Sequence, residues 1–379
     1  MNSIEEKDNK ILKNKKIIDP SIELLRIIGC ISVIATHVKL ELKEKNKFIN
    51  FTRIIIGCFC ADGVSVFWYI MGFFFFKKIP YKKRLKILIE KIILPLMITN
   101  FFYFYFISYN FNKIEILSYI LKKSKKDYLN LFYKILCLEF ECWHLWFCGV
   151  YILIVFLYPS FEGLANIFEK YKINSYKIFL IFLSVLIEND FLYNKFLCIK
   201  QHGFNGVLGA IPFIFCGNEL KKNINKFKNN KFYSFFILIF IGMNIFRSYL
   251  IKIIGDTFLI KWYTSFGIIN VYCLFMFAYS FNDFLYNKIV YFIITKISSM
   301  TFYIYLIHLF VINSIFKAYN IDQKFHKNSK SIKGHFKYQI YSVLFIFFIS
   351  LLFSIVISLL KKFIFFCLNF FFKKKVKYN

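Results

Sequence analysis

The sequence lacks the features that build a chain of several soluble domains. Proline and glycine are sparse, with 5 and 14 residues among 379, and only 19% of the residues are charged. No polar block is long enough to fold a core of its own, and neither an internal repeat nor a Gly/Ser-rich linker is present. These absences exclude a soluble multidomain organisation.

Redox, metal and secretion signals are missing as well. The 10 cysteines are scattered, no Cys-x-x-Cys pair occurs, and Cys58 and Cys60 are separated by one residue, so we expect reduced, structural cysteines. The sequence has no His-Glu-x-x-His or similar ligand spacing, and we therefore expect no bound metal. A cleavable signal peptide is not expected, since the first apolar run lacks a small-residue cleavage site.

Apolar side chains are abundant instead. They make up 58% of the chain and include 54 Phe and 26 Tyr. Runs close to the roughly 17–25 residues that a helix needs to cross a bilayer recur along the sequence. The sequence therefore predicts an all-α, polytopic integral membrane bundle with about ten transmembrane helices. The predicted spans cover residues 20–40, 58–76, 91–109, 143–159, 178–193, 204–220, 232–251, 262–281, 297–317 and 339–360.

Basic residues outnumber acidic ones by 51 to 21, which gives a net charge of +30. Most lysines lie in short loops and tails beside apolar segments, where they anchor helices and contact anionic headgroups. No basic, aromatic-interleaved soluble module is present, so we expect membrane lipids and not nucleic acid as partners. The basic N-terminal tail and the basic loop 77–91 predict that both termini are cytoplasmic. We expect a cytoplasmic tail (1–19), a membrane domain (20–360) and a basic C-terminal tail (361–379).

The first predicted span contains three ionisable side chains, Glu23, Arg26 and His37. Arg26 and His37 are eleven residues apart, so on a helix they share one face and lie about 16 Å apart along the axis. Glu23 is within i,i+3 reach of Arg26. A central Arg in lipid costs at least about 2.5–3.5 kcal/mol, which predicts that this polar stripe faces the bundle interior or a water-filled cavity. An interfacial Glu23–Arg26 pair, with His37 at the opposite interface, is the alternative.

Two further predicted spans contain histidine. The stretch "ECWHLWFCGVYILIVFLYP" places His144 beside Trp146, and "MTFYIYLIHLFVI" places His308 three residues after Tyr305. A single histidine in a core is more often a satisfied polar group than a catalyst. Three histidines in three predicted spans favour a shared role. We therefore predict that the cavity facing the first span is lined by His144, Trp146, Tyr305 and His308.

The spacing of Arg26 and His37 resembles the Arg-x10-His signature of the membrane acyltransferase-3 family. Those proteins are multi-spanning acyltransferases, many of which O-acetylate bacterial surface glycans. Further stretches resemble the family in the same order: "GVSVFWYIMGFFFFKK", "KKRLKILIEKIILPLMI", "WHLWFCGVYILIVFLYP", "LGAIPFIFCGNELKK" and "SSMTFYIYLIHLFVI". Met71 and Ser65 depart from the family pattern, because Ser is usual at the first position and Asp or Pro is common at the second.

The resemblance implies an O-acyltransferase with acetyl-CoA or another acyl-CoA as donor, with acetyl favoured. It implies a hydroxyl of a cell-surface or envelope glycan, or of a lipid-linked saccharide, as acceptor, and the plasma (inner) membrane of a bacterium as location. On this basis we predict that His37 is the catalytic base or the acyl-accepting nucleophile, with Glu23 and Arg26 as catalytic partners.

Arg84 and Lys91 are predicted to bind the coenzyme A portion of the donor because they lie in the dense basic loop 77–91, nearest the third span. Arg26 is predicted to join them because it lies toward the cytoplasmic end of the first helix. Simple anchoring of the loop at the membrane is the alternative. For the whole protein, the alternatives are a transporter or flippase that uses Arg26, His37 and His308 as a relay, and a non-catalytic relative that binds a partner.

Overall fold

The computed structural model describes residues 19–38, 47–107, 145–174, 177–183, 202–226, 228–254, 264–317 and 332–376, and all regular structure in these ranges is helical. This confirms the predicted all-α class. The α-helices are α1 (Pro20–His37), α2 (Lys47–Ala61), α3 (Gly63–Phe75), α4 (Tyr81–Leu88), α5 (Leu94–Ile107), α6 (Trp146–Phe156), α7 (Tyr158–Lys170), α8 (His202–Asn223), α9 (Phe236–Ile254), α10 (Ser265–Ser280), α11 (Asn282–Leu285), α12 (Lys288–Ser298), α13 (Thr301–Val311) and α14 (Ile332–Val376). Two π-helical segments, Ile89–Ile93 and Ile312–Lys317, join α4 to α5 and extend α13.

Four helical segments in the described ranges are long and apolar enough to cross a membrane: Pro20–His37, Phe51–Phe75, Lys231–Ile253 and Phe336–Leu359. Two bent helix pairs, α6 with α7 and α12 with α13, raise this number to six if each pair forms one span. The bends are 64° and 56°. The predicted count of about ten spans is not reached in these ranges, and most of the predicted span 178–193 lies outside them.

Helix α1 lies at the centre of the bundle. It packs against α2, α3, α10, α12, α13 and α14. Its apolar side chains Leu25 and Ile34 are completely buried, although Arg26 lies between them. A helix with neighbours on most sides has no broad face left for lipid. The polar stripe of α1 is therefore placed among other helices, as the cost of a guanidinium in lipid predicts.

The start of α1 is fixed by polar contacts with α10 and α11. The Asp19 side chain caps the helix by accepting a hydrogen bond from the Ser21 backbone N–H, and it also accepts one from the Tyr279 hydroxyl at 2.6 Å. The Ser21 hydroxyl donates to the Asn282 side chain. Capping of this kind stabilises a helix by about 0.5–2 kcal/mol. Because α1 is held at its start, the positions of the residues that follow along it are also set.

Three helices approach one another through glycine. A Cβ atom at Gly72 of α3 would lie 2.0 Å from the Ile214 carbonyl oxygen of α8, and one at Gly217 of α8 would lie 2.2 Å from the Tyr69 carbonyl oxygen of α3. Gly63 contacts Gly29 of α1 in the same way. Small residues at such crossings let helix backbones meet closely, which is how helices in membranes commonly pack.

Replacing Gly72 with alanine is expected to lower the apparent Tm of the detergent-solubilised protein markedly. The new methyl group would overlap the backbone of α8, which cannot rotate away as a side chain can, and overpacking of this kind costs about 1–3 kcal/mol or more. Gly242→Ala is the matched control, because nothing lies within 4 Å of a Cβ at that position. Equal Tm values for the two variants would contradict this account of the crossing.

The predicted boundary between the membrane domain and the C-terminal tail coincides with no break in secondary structure. Helix α14 continues without interruption from Ile332 to Val376, across position 360. The tail boundaries therefore remain predictions, and all but the last residue of the N-terminal tail lies outside the described ranges.

Candidate active site

Glu23 and Arg26 form the ion pair that their spacing predicts. The two carboxylate oxygens of Glu23 accept hydrogen bonds from Arg26 Nη1 at 2.8 and 3.1 Å. Glu23 also accepts a hydrogen bond from the Ser298 hydroxyl at the end of α12. The Glu23 side chain is 9% exposed and that of Arg26 is 33% exposed. Glu23 therefore fixes the guanidinium, and Arg26 is the member of the pair that a ligand can reach.

His37 and His308 lie in direct contact. Their ring centroids are 5.1 Å apart, with 30° between the ring planes. His37 is the last residue of α1 and is half-buried, whereas His308 in α13 is fully buried. Sequence spacing alone gives no reason for these two residues to meet, since 271 positions separate them. The structure thus brings the predicted base together with one of the predicted cavity-lining residues.

The ring of His308 is held by its own helix. His308 Nδ1 lies 2.7 Å from the Tyr305 carbonyl oxygen. A carbonyl can only accept a hydrogen bond, so Nδ1 carries the proton, and in the neutral ring Nε2 is then the acceptor nitrogen. This arrangement sets both the tautomer and the orientation of the imidazole beside His37.

The remaining predicted cavity residues are distributed unevenly. The Tyr305 ring lies 5.8 Å from that of His308 and 5.6 Å from that of Phe147, and Trp146 is the next ring beyond, at 6.3 Å from Phe147. Tyr305 therefore belongs to the surroundings of the histidine pair, and Trp146 lies further along the same aromatic path. His144 lies outside the described residues.

Tyr103 of α5 supports this region and was not identified from the sequence. Its hydroxyl donates to the Leu306 carbonyl oxygen at 2.9 Å and accepts from the Phe310 backbone N–H at 3.1 Å. Leu306 and Phe310 are one helical turn apart in α13, before and after His308. Tyr103 therefore ties α5 to the turn of α13 that contains His308.

Tyr103→Phe is expected to lower the rate of the chemical step about ten- to hundred-fold while the apparent Tm changes little. Without the hydroxyl, α5 loses both hydrogen bonds to the turn that holds His308, and displacements near 1 Å at reacting groups cost rate on this scale. The measurement is kcat and KM of the purified variant compared with those of the wild type. Tyr103→Trp is unsuitable for this test because its side chain is larger. An unchanged kcat would show that the Tyr103 hydroxyl does not position His308.

Arg84 is bound to the protein itself. Its guanidinium donates to the Ile79 carbonyl oxygen at 3.3 Å and to the Lys77 carbonyl oxygen, and Cζ lies 3.8 Å from the centre of the Tyr158 ring. Arg84 thus fastens the turn between α3 and α4 to α7. Both Arg84 and Arg26 are close enough to the Tyr151 hydroxyl to act on it electrostatically, so the two predicted donor-binding arginines approach the same helix, α6.

Lys91, the third predicted donor-binding residue, lies in the π-helical segment Ile89–Ile93 with an exposed side chain. Seven residues separate it from Arg84, which corresponds to about 10 Å along a helix. Its role in donor binding remains a prediction.

A second buried polar cluster lies apart from the predicted site residues. Arg247 of α9 is completely buried and donates to both carboxylate oxygens of Asp62 at 3.1 Å. Asn270 donates to the same carboxylate at 2.7 Å, and Thr264 accepts from Arg247 at 3.2 Å. The cluster joins the α2–α3 junction to α9 and α10. A signal for it was present in the sequence, because Asp62 and Arg247 are charged residues within apolar stretches.

Among the described residues, no group of three or more His, Cys, Asp and Glu side chains is arranged to hold a metal ion. The histidine pair offers an imidazole that can take a proton or an acyl group and a second imidazole in fixed orientation beside it, with a guanidinium about 16 Å further along α1.

This arrangement defines a membrane-embedded helical protein with a histidine pair and a fixed arginine along one central helix. Residues 19–362, nearly the whole chain, match the family model described as an acyltransferase domain. The protein belongs to this acyltransferase family, as the sequence resemblance predicted. No match was found among curated proteins or among solved structures.

Proposed function

We propose that this protein transfers an acyl group, with acetyl favoured, from acyl-CoA to a hydroxyl of a cell-surface or envelope glycan or of a lipid-linked saccharide. The observation that carries the proposal is the contact between His37 and His308 at the end of a central helix that also holds Arg26. Membership of the acyltransferase family supports the reaction class. The bacterial inner membrane as location is part of the proposal.

In the proposed reaction, the acceptor oxygen attacks the thioester carbonyl carbon, and the carbon–sulfur bond breaks to release coenzyme A. His37 takes the proton from the acceptor hydroxyl, either during the attack or after the acyl group has rested on its own imidazole. The half-buried position of His37 supports this role, because a base has to be reachable by substrate. His308, with its ring fixed by the Tyr305 carbonyl, orients His37 and can exchange a proton with it.

Glu23 acts on the reaction through Arg26 in this proposal. Because Ser298 and Arg26 both donate to its carboxylate, Glu23 holds the guanidinium in place and is a positioning residue. Arg26 binds the donor at the far end of α1 from His37. An extended pantetheine arm would join the two sites along α1, so the donor approaches from the end that holds Arg26 and the acceptor from the end that holds His37.

The test uses membranes that contain the full chain. Free thiol released from acetyl-CoA is measured with and without an added glycan acceptor, and the glycan is then analysed by mass spectrometry. We expect thiol release that depends on acceptor and a product heavier by one acetyl group in place of hydrogen. Acceptor modification that persists without any acyl-CoA would contradict the proposal.

A transporter or flippase is the second candidate, favoured by the two bent helix pairs. Broken helices are typical of transporters, whose half-helix ends contact substrate. The 56° bend between α12 and α13 follows Ser298, whose hydroxyl donates to the Glu23 carboxylate. Proteoliposomes distinguish the two candidates, since a transporter moves an unmodified saccharide across the bilayer, whereas an acyltransferase changes its mass.

A further inference from the structure

Three cationic side chains from separate parts of the chain meet around one pair of phenylalanine rings. Phe73 and Phe74 contact edge to face, with centroids 5.3 Å apart. Lys77 Nζ lies 4.6 Å and Arg26 Cζ lies 5.8 Å from the centre of the Phe74 ring. Lys221 Nζ, from the end of α8, lies 5.9 Å from the centre of the Phe73 ring.

These lysines are not extended into solvent as anchoring lysines usually are. Lys77 and Lys221 are both half-buried, whereas their sequence neighbours Lys78 and Lys222 are exposed. The pKa of Lys221 is lowered by burial of its ammonium group and by the charge of Lys77. The two ammonium groups are therefore held close enough to repel each other, and an anion placed between them would offset this repulsion.

Several carboxylates of the described residues in this region bind other cations. Lys222 binds Glu219 at 2.7 Å and Glu169 at 3.5 Å, and Glu23 binds Arg26. Arg84 donates to the Lys77 carbonyl and so holds the backbone from which that ammonium projects. The half-buried Lys77 and Lys221 thus lie near each other, and Arg84 holds the backbone at Lys77 in place.

We infer that Lys77 and Lys221 form a binding site for a phosphoryl group of the coenzyme A donor, beside Arg26. This inference rests on the proposed function and makes it more specific. Ammonium groups bind phosphate oxygens as point charges, and an anion with two or more negative charges suits a pair of them. Because Lys77 and Arg26 share the Phe74 ring, the site lies at the level of Arg26, about 16 Å from the level of His37. The phosphates are bound at one end of α1 and the thioester lies at the other.

The test compares two donors that differ in their phosphates. The full chain is placed in phosphatidylcholine nanodiscs, and kcat and KM are measured for acetyl-CoA and for acetylpantetheine, which lacks phosphate. For the Lys77→Gln/Lys221→Gln double variant we expect KM for acetyl-CoA to rise about tenfold, equivalent to about 1.4 kcal/mol, with KM for acetylpantetheine and both kcat values unchanged. Lys77→Arg/Lys221→Arg is expected to restore the KM for acetyl-CoA.

Lys222→Gln is the matched control, because it removes one charge at the adjacent position without touching the lysine pair, and its KM for acetyl-CoA is expected to change less than twofold. An equal rise in KM for both donors, or no rise for either, would overturn the inference. The acetyl thioester of dephospho-coenzyme A, which lacks the 3′-phosphate, tells which phosphate is bound. If the double variant raises KM only for acetyl-CoA, the site binds the 3′-phosphate, and if it raises KM for both donors, the site binds the diphosphate.

A phosphate of a lipid headgroup has the same chemistry, and a separate binding experiment distinguishes it from a phosphate of coenzyme A. Direct binding of unacylated coenzyme A is measured in nanodiscs with and without anionic phospholipid. Weaker coenzyme A binding by the double variant in both membranes supports the inference, and unchanged coenzyme A binding with reduced retention of anionic lipid overturns it. If neither donor is turned over by the wild-type protein, the proposed function fails, and this binding measurement still decides the phosphate site.

Discussion

Replacing His37 with alanine is expected to abolish acyl transfer while leaving expression and apparent Tm close to those of the wild type. Acid–base catalysis contributes about 10²–10⁴-fold to rate, and a nucleophilic role would make the loss larger. The side chain is half-buried at the end of α1, so its removal leaves no unfilled core. The measurement is coenzyme A release by purified protein with saturating donor and acceptor.

Thr36→Ala is the matched control for this prediction. Thr36 precedes His37, and its hydroxyl donates to the Val33 carbonyl of its own helix at 2.7 Å, so its loss is a local change. We expect its rate to stay within twofold of the wild type. Transfer by His37→Ala at the wild-type rate would remove His37 from the mechanism.

The same variant separates the base from the nucleophile. If His37 accepts the acyl group, rapid quenching of the wild-type reaction without acceptor traps one labelled acyl group per protein, and His37→Ala traps none. If His37 is a base, no labelled protein accumulates in either case. His308→Gln is expected to lose rate in both mechanisms if, as proposed, the His308 ring orients His37.

Replacing Arg247 with methionine is expected to destabilise the protein by about 3–5 kcal/mol, because it leaves the Asp62 carboxylate buried without its ion-pair partner. Asp62 is 2% exposed and Arg247 is completely buried, so water cannot replace the lost hydrogen bonds. Reversible unfolding in detergent or bicelles gives the free energy, and a lowered apparent Tm is the simpler measure. Lys252→Met, an exposed change on the same helix, is expected to stay within about 0.5 kcal/mol of the wild type.

The double variant Asp62→Asn/Arg247→Met decides whether the ion pair itself is responsible. With both charges removed, no buried charge remains uncompensated, and replacement of a buried pair by neutral groups is often close to neutral. We therefore expect the double variant to be more stable than Arg247→Met. A double variant whose loss equals the sum of the single losses would show that the two residues do not act as a pair.

The sequence predicted the ion pair of α1 because that contact depends on helical spacing alone. Glu23 and Arg26 are three residues apart and form the expected ion pair. The prediction that the polar stripe faces other helices also holds, because insertion in lipid is costly for a guanidinium regardless of the rest of the fold. Contacts that depend on the spacing of residues within one helix can be predicted from the sequence.

Contacts between helices that are distant in the sequence could be predicted only in part. His308 was identified as a candidate because it is polar within an apolar run, but its contact with His37 depends on how α13 packs against α1. Tyr103 carries no such signal, since phenylalanine and tyrosine are abundant throughout the chain. The Asp62–Arg247 pair satisfies the same argument as Arg26, and it was missed because both residues lie near the ends of predicted spans, where charges are common.

The predicted number of spans is not confirmed, for a related reason. Hydropathy measures the apolar content of a segment and is insensitive to a bend. Trp146–Phe156 and Tyr158–Lys170 read as one apolar run up to Pro159, yet the axis turns by 64° between them. A count of spans from sequence cannot distinguish a straight crossing from a broken one.

The glycine crossings have a consequence for the histidine pair. Helices α1, α3 and α8 approach backbone to backbone at Gly29, Gly63, Gly72 and Gly217, so His37 lies on a helix that belongs to a closely packed group of three. His308 is carried by α13, which follows a bend at residues 299–300. The contact between the two imidazoles is therefore set by how α13 packs against α1, α5 and α14.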